Sequence, residues 1–314
     1  MEQNDQFFSE VSRRNFVKGA GALAVGFGAA GLSPLQALAA PMLPKKGGSL
    51  RVGVVGDVKD MLDAHYIVSI PDIVRLNVGF ETAMVYDENF KPTFKDGLAE
   101  EASTTDGINW IIRLKKGIEF HNGKTVTADD LVYSWQRMSD PAEKHSKALR
   151  PFLTPAGVTK VDNRTAKLTL LQANADFMVT LATYTSTVVP VGYENFAKNP
   201  LQIGTGPYKV DSITTTRIEM SAFPGSWREP KADKLVIIPL ADAASRLQAL
   251  QSGQVNMVAG INPDQIAAAK KSKATVISIP APQVMSLAFN VTAGGAVKDI
   301  RVRQALNYAV DKEA

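Results

Sequence analysis

The chain has 314 residues, of which 45% are hydrophobic and 21% charged, a balance typical of a globular protein. Its 35 Lys and Arg against 31 Asp and Glu give a formal net charge of +4, and no basic block with interleaved aromatics argues for nucleic-acid binding. The lack of cysteine excludes disulfides, zinc thiolates and thiol catalysis, and no apolar run of 18 residues predicts a membrane-spanning helix.

The first 39 residues indicate an export signal rather than part of the fold. The pair Arg13 and Arg14 is followed by Phe16 and by a Gly- and Ala-rich apolar stretch over 19–32. The small residues that a signal peptidase requires before its cleavage site come next, and we expect cleavage after Ala39. This order is typical of a twin-arginine signal read by the Tat machinery, with a buried Gly/Ala-rich helix as the alternative. Because lipid anchors of exported proteins use a cysteine, we expect a free, soluble periplasmic protein.

Beyond the signal, the hydrophobic pattern predicts alternating strands and helices. The predicted strands are 49–55, 109–114, 165–171, 208–210, 234–240, 255–258, 275–279 and 284–290. The predicted helices run through 73–80, begin at Thr127, Asp242 and Asn262, and cover about 300–310. A tight turn is expected at 204–207. This alternation predicts an α/β fold.

Residues 118–134 combine a predicted hairpin with the start of a helix. Asn122 and Gly123 predict the hairpin turn, because this dipeptide tolerates a positive φ at both central positions. Thr127 and Asp130 have the spacing of a helix cap. One buried helix face, at the i, i+4 and i+7 spacing, is predicted for Leu131, Trp135 and Met138.

Residues that catalyse reactions or bind metals form no convincing group in the sequence. His65, His121 and His145 stand far apart, without a second ligand at helical spacing. For His121, beside the hairpin turn, we expect a structural hydrogen bond. Neither a Gly-x-Ser-x-Gly elbow nor a Gly-x-x-x-x-Gly-Lys phosphate loop occurs. The sequence therefore predicts no catalytic residue, no metal site and no cofactor, and we expect the protein not to be an enzyme.

The segment 118–134 (IEFHNGKTVTADDLVYS) resembles the signature of the family 5 extracellular solute-binding proteins, which include dipeptide-, oligopeptide-, glutathione-, opine- and nickel-binding proteins. Further segments fall in the family's order, namely 95–100 (KDGLAE), 204–208 (GTGPY), 249–253 (ALQSG), 287–290 (LAFN) and 301–311 (RVRQALNYAVD). Residues 62–64 (LDA) depart from the family's Leu-Asp-Pro, and Asn256 replaces a usual acid. These departures indicate a divergent branch.

The resemblance implies a type II periplasmic binding protein fold with two lobes and an extra small domain, of which only the first lobe and the start of the second are expected here. The predicted boundaries are 1–39 for the signal peptide, 40–82 for the first segment of lobe I, 83–200 for the extra subdomain, 201–282 for the return to lobe I and 283–314 for the crossing into lobe II. Because family members are longer, we expect a C-terminally incomplete chain that binds no ligand tightly alone. A compact natural variant is the alternative.

The resemblance also implies a function and a site. It implies the periplasmic binding component of an ABC importer, a monomer that holds a small ligand, most commonly a peptide, and delivers it to an inner-membrane permease. Hydroxyl, aromatic and methionine side chains suit such a pocket. The candidate ligand-binding residues are Tyr66, Ser69, Tyr184, Thr185, Ser186, Gln283 and Met285. For each of them, an ordinary structural role is the alternative.

Two other classes of function stay open at this point. A secreted hydrolase, exported folded with a cofactor, would also use a twin-arginine signal. A periplasmic chaperone or docking protein could use the same fold without transport.

Overall fold

The computed structural model describes residues 46–57, 63–66, 69–143, 148–193, 202–278 and 288–310. The strands are β1 (Ser49–Val54), β2 (Val85–Tyr86), β3 (Pro92–Thr93), β4 (Ala99–Thr104), β5 (Asn109–Leu114), β6 (Val158–Lys160), β7 (Thr165–Thr169), β8 (Tyr208–Ile213), β9 (Ile218–Ala222), β10 (Lys234–Pro239) and β11 (Met257–Val258). The α-helices are α1 (Ile70–Gly79), α2 (Ala128–Ser139), α3 (Phe177–Leu181), α4 (Ala243–Gln251), α5 (Ile266–Lys271) and α6 (Ile300–Ala309). The α/β fold predicted from the sequence is confirmed.

The first sheet has five strands in the order β11-β1-β10-β9-β8. β1 runs parallel to β10 and β11, whereas β10, β9 and β8 are antiparallel. Parallel neighbours need a long crossover connection, and here residues 55–233 supply it between β1 and β10. α1 packs on this sheet through Val74 and Val78. The buried side chains of the sheet are Val52, Val54, Val210, Ile218, Met220, Leu235 and Ile237.

The second sheet lies within that crossover and has the antiparallel order β4-β5-β7-β6. In β5, Trp110, Ile112 and Leu114 are buried while Arg113 is exposed, as expected for a sheet with one solvated face. α2 covers the buried face. Its predicted apolar face is confirmed, since all three side chains are fully buried, namely Leu131, Trp135 and Met138.

The first turn of α2 has the cap that the sequence predicts. Thr127 is the N-cap residue, and its backbone N–H donates to Asp130 Oδ2 at 2.9 Å. The other oxygen of the same carboxylate, Oδ1, accepts from Lys124 Nζ at 2.5 Å and from the backbone N–H of Val191 at 2.9 Å. The cap carboxylate, which is fully buried, therefore also ties α2 to two other segments.

Four strand predictions differ from the structure. The strand expected at 255–258 is limited to Met257–Val258, and that at 165–171 ends at Thr169. Residues 275–278 form no strand, and neither do 288–290; the rest of those two predicted strands, 279 and 284–287, lies outside the described residues. A run of β-branched residues gives strand propensity, but a strand also needs a neighbour to complete its ladder, and no described segment pairs there.

The hairpin at 118–126 also differs in its turn. Only Gly123 has a positive φ, of 80°, whereas both central residues were predicted to have one. Phe120 N–H donates to the Lys124 carbonyl at 2.8 Å, so three residues, not two, lie in the loop. A three-residue loop needs a left-handed conformation only at its last position, which explains the single glycine.

In the parts of the chain described above, no helix combines the length and apolar character needed to cross a bilayer.

Candidate ligand-binding site

The chain returns from the second sheet to the first through the turn at 204–207. Gly206 N–H donates to the carbonyl of Gly79, the last residue of α1, at 3.1 Å. A Cβ on Gly204 would overlap that same carbonyl oxygen, and one on Gly206 would overlap the Val78 carbonyl. The predicted tight turn thus needs its glycines because it lies directly against the end of α1.

His121 fastens this turn to the hairpin. Its Nδ1 accepts from the backbone N–H of Gly204 at 3.2 Å, and its Nε2 donates to the carbonyl of Gly206 at 3.0 Å. Burial lowers the pKa of His121, and a neutral ring with its proton on Nε2 fits both neighbours. The structural hydrogen bond expected for His121 is confirmed.

The first predicted ligand-binding stretch lies between β1 and α1. Ser69 is the N-cap of α1, where its Oγ donates to Asp72 Oδ2 at 2.7 Å. Tyr66 is half-buried, and its backbone N–H donates to the Asp63 carbonyl at 3.1 Å. The hydroxyl of Ser69 is therefore engaged by its own helix, while the position of Tyr66 is set by the short loop 63–66.

The second stretch is the 3-10 turn Tyr184–Ser186. Ser186 is fully buried, and its Oγ lies 2.8 Å from the carbonyl oxygen of Thr183, which can only accept. Tyr184 is exposed, and Thr185 is half-buried with its Oγ1 3.0 Å from Thr183 Oγ1. Within this stretch, Tyr184 and Thr185 thus reach the surface, whereas Ser186 does not. The remaining candidates, Gln283 and Met285, lie outside the described residues, as do Arg13, Arg14, Phe16 and Ala39 of the predicted signal.

The structure brings these two stretches together. His65 Nε2 lies 2.9 Å from the carbonyl oxygen of Thr187, and Thr187 Oγ1 donates to the carbonyl of Ala64 at 3.2 Å. Both contacts are buried. The residues just before Tyr66 and just after Ser186 are therefore held in one place, although more than a hundred positions separate them in the chain.

Arg137 of α2 contacts the loop 63–66 at the same place. Its guanidinium forms a two-pronged ion pair with Asp63, at 3.0 Å from Nη1 to Oδ1 and 2.5 Å from Nη2 to Oδ2. Nη1 also lies 2.8 Å from His65 Nδ1, and Nε lies 3.4 Å from Glu143 Oε2. We call Asp63, His65, Arg137 and Thr187 the Arg137 network. The sequence did not predict this network, and Asp63 in the segment 62–64 was the only local feature that pointed to it.

The pKa values of the network follow from burial and from this pairing. Burial, and then the charge of Arg137, lower the pKa of His65 to about 4, so the ring is neutral at pH 7. Burial raises the pKa of Asp63, but its hydrogen bonds and the charge of Arg137 together outweigh that effect, and the net pKa lies below its ordinary value. The network therefore holds a charged pair beside a neutral imidazole.

A polar hollow of about 450 Å³ opens beside Arg137. Its lining residues come from α2 and the segments that follow it, namely Tyr133, Gln136, Arg137, Asp140, Glu143 and Pro155.

Stability is expected to fall on acidification because of His65. The unfolded chain takes up a proton near pH 6.5, whereas the folded chain resists it down to about pH 4. The free energy of unfolding should therefore decrease as the pH falls through this window, by on the order of 3 kcal/mol for this group. Urea unfolding of the wild type and of His65→Gln at several pH values measures the difference. Parallel curves for the two proteins would show that His65 is not the cause.

The sequence matches one family model, described as bacterial extracellular solute-binding proteins, family 5 Middle, over residues 93–314. Heme-binding protein A of Haemophilus influenzae is 32% identical over 238 residues, covering 67% of this chain and 43% of that protein. Glutathione-binding protein GsiB of Escherichia coli K12 is 31% identical over 229 residues, covering 70% and 44%. The chain thus spans less than half the length of these relatives.

Solved structures give the same result for the fold. The Escherichia coli murein tripeptide binding protein MppA is similar with a TM-score of 0.70 and 23% identity, over 86% of this chain and 57% of that one. The agropinic acid complex of AgaA from Agrobacterium tumefaciens gives a TM-score of 0.63 and 26% identity, over 71% and 46%. The two-lobed periplasmic binding protein fold expected from the resemblance is confirmed, for the part of that fold which the chain covers.

Proposed function

Because this chain belongs to the family 5 bacterial extracellular solute-binding proteins, we propose that it serves as the periplasmic binding component of an ABC importer and takes a short peptide as its ligand. The family match over 93–314 is the observation that carries the proposal. Export by the Tat machinery with cleavage after Ala39, a monomeric state and delivery to an inner-membrane permease are parts of the same proposal. The family and its structural neighbours are binding proteins, and we infer that this chain performs no bond chemistry.

The names of the relatives support a peptide. Glutathione, bound by one relative, is itself a tripeptide, and two structural neighbours are a murein tripeptide binding protein and an oligopeptide-binding protein in complex with a nonapeptide. A peptide offers backbone donors and acceptors at regular intervals, and hydroxyls beside an aromatic ring suit such a ligand. Tyr66, Tyr184 and Thr185 are the described residues that we propose for this role.

The proposed mechanism is closure of two lobes around the ligand. A ligand that contacts both lobes stabilises the closed form, and it shifts the population of forms by its differential affinity for them. The loop 63–66 and the turn Tyr184–Ser186 would form the first lobe's share of the contact surface.

A ligand panel tests the proposal on the intact natural protein. We expect glutathione or a murein tripeptide to raise the melting temperature, because a ligand that binds the native state stabilises it by mass action. Calorimetric titration then gives the dissociation constant. A response to heme alone would overturn the peptide assignment, and silence across peptides, heme and agropinic acid would overturn ligand transport.

Tyr66→Ala and Tyr184→Ala are each expected to weaken peptide binding tenfold or more, which corresponds to about 1.4 kcal/mol. The matched control is Tyr86→Ala, because Tyr86 is 38% exposed and Tyr184 39%, and the hydroxyl of Tyr86 already donates to the Val179 carbonyl. Calorimetric titration of the three variants measures the effect. Unchanged affinity in Tyr66→Ala or Tyr184→Ala would remove that residue from the site.

A further inference from the structure

Among the described residues, the Arg137 network is a buried polar group that the proposed function does not yet use. It connects α2 with the loop 63–66 and with Thr187, which follows the turn Tyr184–Ser186. Tyr66 directly follows His65 in the chain. The loop 63–66 therefore contacts the guanidinium directly, through Asp63 and His65, and Thr187 is linked to it through His65.

The hydrogen bonds of His65 fix its protonation state. The Thr187 carbonyl oxygen can only accept, so His65 Nε2 must carry a proton. The guanidinium of Arg137 can only donate, so His65 Nδ1 must be without one. The contact of Arg137 with His65 therefore exists only when the imidazole is neutral, and a second proton on the ring would point directly at the guanidinium.

We propose that Arg137 is a positioning residue for the ligand-binding surface. It holds the loop 63–66 and the 184–187 segment in fixed relative positions, and it does so only while His65 is uncharged. This inference rests on the proposed function for its role in binding, but its structural content does not depend on any ligand.

The groups around His65 set the direction of the pH effect. Asp63 on the same loop and Glu143 after α2 are acidic, Arg137 is basic, and the 184–187 segment contributes the Thr187 carbonyl. A protonated ring would repel Arg137 and compete with it for Asp63. Arg137 would then lose its contact with the imidazole, and the attachment of the loop 63–66 to α2 would be weakened, because the remaining ion pair of Arg137 with Asp63 would face the competing imidazolium.

Hydrogen exchange on the intact protein tests this without a ligand. The amides of His65, Tyr66 and Ser186 report on the two stretches, since each donates a hydrogen bond to Asp63 or Thr183. We expect Arg137→Met to reduce their protection factors about tenfold at pH 7, which means that the free energy of local opening falls by about 1.4 kcal/mol. Amides of β10 provide the reference for an intact fold.

Acidification provides the readout that a purely structural arginine would not change. In the wild type, the same protection should be lost as the pH falls through about 4, while β10 stays protected. His65→Gln should keep the protection at pH 7 and lose its acid sensitivity, because a glutamine amide can accept from Arg137 and donate to Thr187 without titrating. The control Arg217→Met removes an exposed arginine that pairs with Glu219, and it should behave as the wild type.

The outcomes separate the two proposals. Unchanged protection in Arg137→Met, or acid sensitivity retained in His65→Gln, would overturn the positioning role whatever the protein binds. In parallel, glutathione is titrated at pH 7, and a tenfold weaker dissociation constant in Arg137→Met is expected. If glutathione binds the variant as tightly as the wild type, Arg137 does not position the binding surface. If neither protein binds glutathione or any peptide, the proposed function fails, while the exchange data still decide the role of Arg137.

Discussion

Gly204→Ala is expected to destabilise the folded chain by at least about 3 kcal/mol. An added Cβ would overlap the carbonyl oxygen of Gly79, a backbone atom that cannot rotate away as a side chain could. The turn would have to move, and the hydrogen bonds that join His121 to the Gly204 N–H and to the Gly206 carbonyl would be lost with it. The free energy of urea unfolding measures the effect.

Gly117→Ala is the control for this substitution. Gly117 has a φ of 73°, but no atom lies within 4 Å of an added Cβ, so the cost should be only the left-handed backbone penalty of about 1 kcal/mol. If Gly204→Ala proved no more destabilising than Gly117→Ala, the close approach of the turn to α1 would be wrong.

Asp130→Ala is expected to cost about 3 kcal/mol of stability. The buried carboxylate accepts from the N–H groups of Thr127 and Val191, and both donors would lose their partner. Bonds to a charged group are among the stronger ones, and an unpaired donor away from water adds its own penalty. Lys124 contributes less to the loss, because its side chain is 43% exposed and returns to water. Thermal and urea unfolding give the change.

The adjacent carboxylate provides a matched control in the same helical turn. Asp129 pairs with Lys160 at 2.8 Å, but the two side chains are 54% and 36% exposed. Exposed ion pairs contribute little, so Asp129→Ala should change stability by less than about 0.5 kcal/mol. Similar losses for the two variants would show that helix charge, rather than the buried contacts of Asp130, explains the effect.

Local sequence patterns predicted the elements whose formation depends on near neighbours. The cap of Thr127 and Asp130 lies within four residues, and the apolar face of α2 within eight, so both are encoded in one short segment. β5 was predicted with its observed ends, because its alternation of buried and exposed residues matches a sheet solvated on one face. The strand expected at 275–279 failed for the opposite reason, since pairing needs a distant partner.

The candidate site was predicted in part. The segments named from the family resemblance include the loop after β1 and the stretch Tyr184–Ser186, and the structure joins residues 64 and 65 of that loop to Thr187, which directly follows the stretch. The use of each side chain was not predictable, because the hydroxyls of Ser69 and Ser186 serve a helix cap and an internal turn. Such roles depend on local backbone geometry that the residue type alone does not reveal.

By itself, the sequence determined the α/β class, the order of most elements and the family, because hydrophobic period, caps and short motifs are properties of neighbouring residues. Only the tertiary structure decided that Arg137, His65 and Thr187 meet, that Asp130 also holds Val191, and that the glycines at 204 and 206 lie against the end of α1. These contacts join residues more than sixty positions apart. Their existence depends on how the two sheets and their helices pack, and no single segment carries that information.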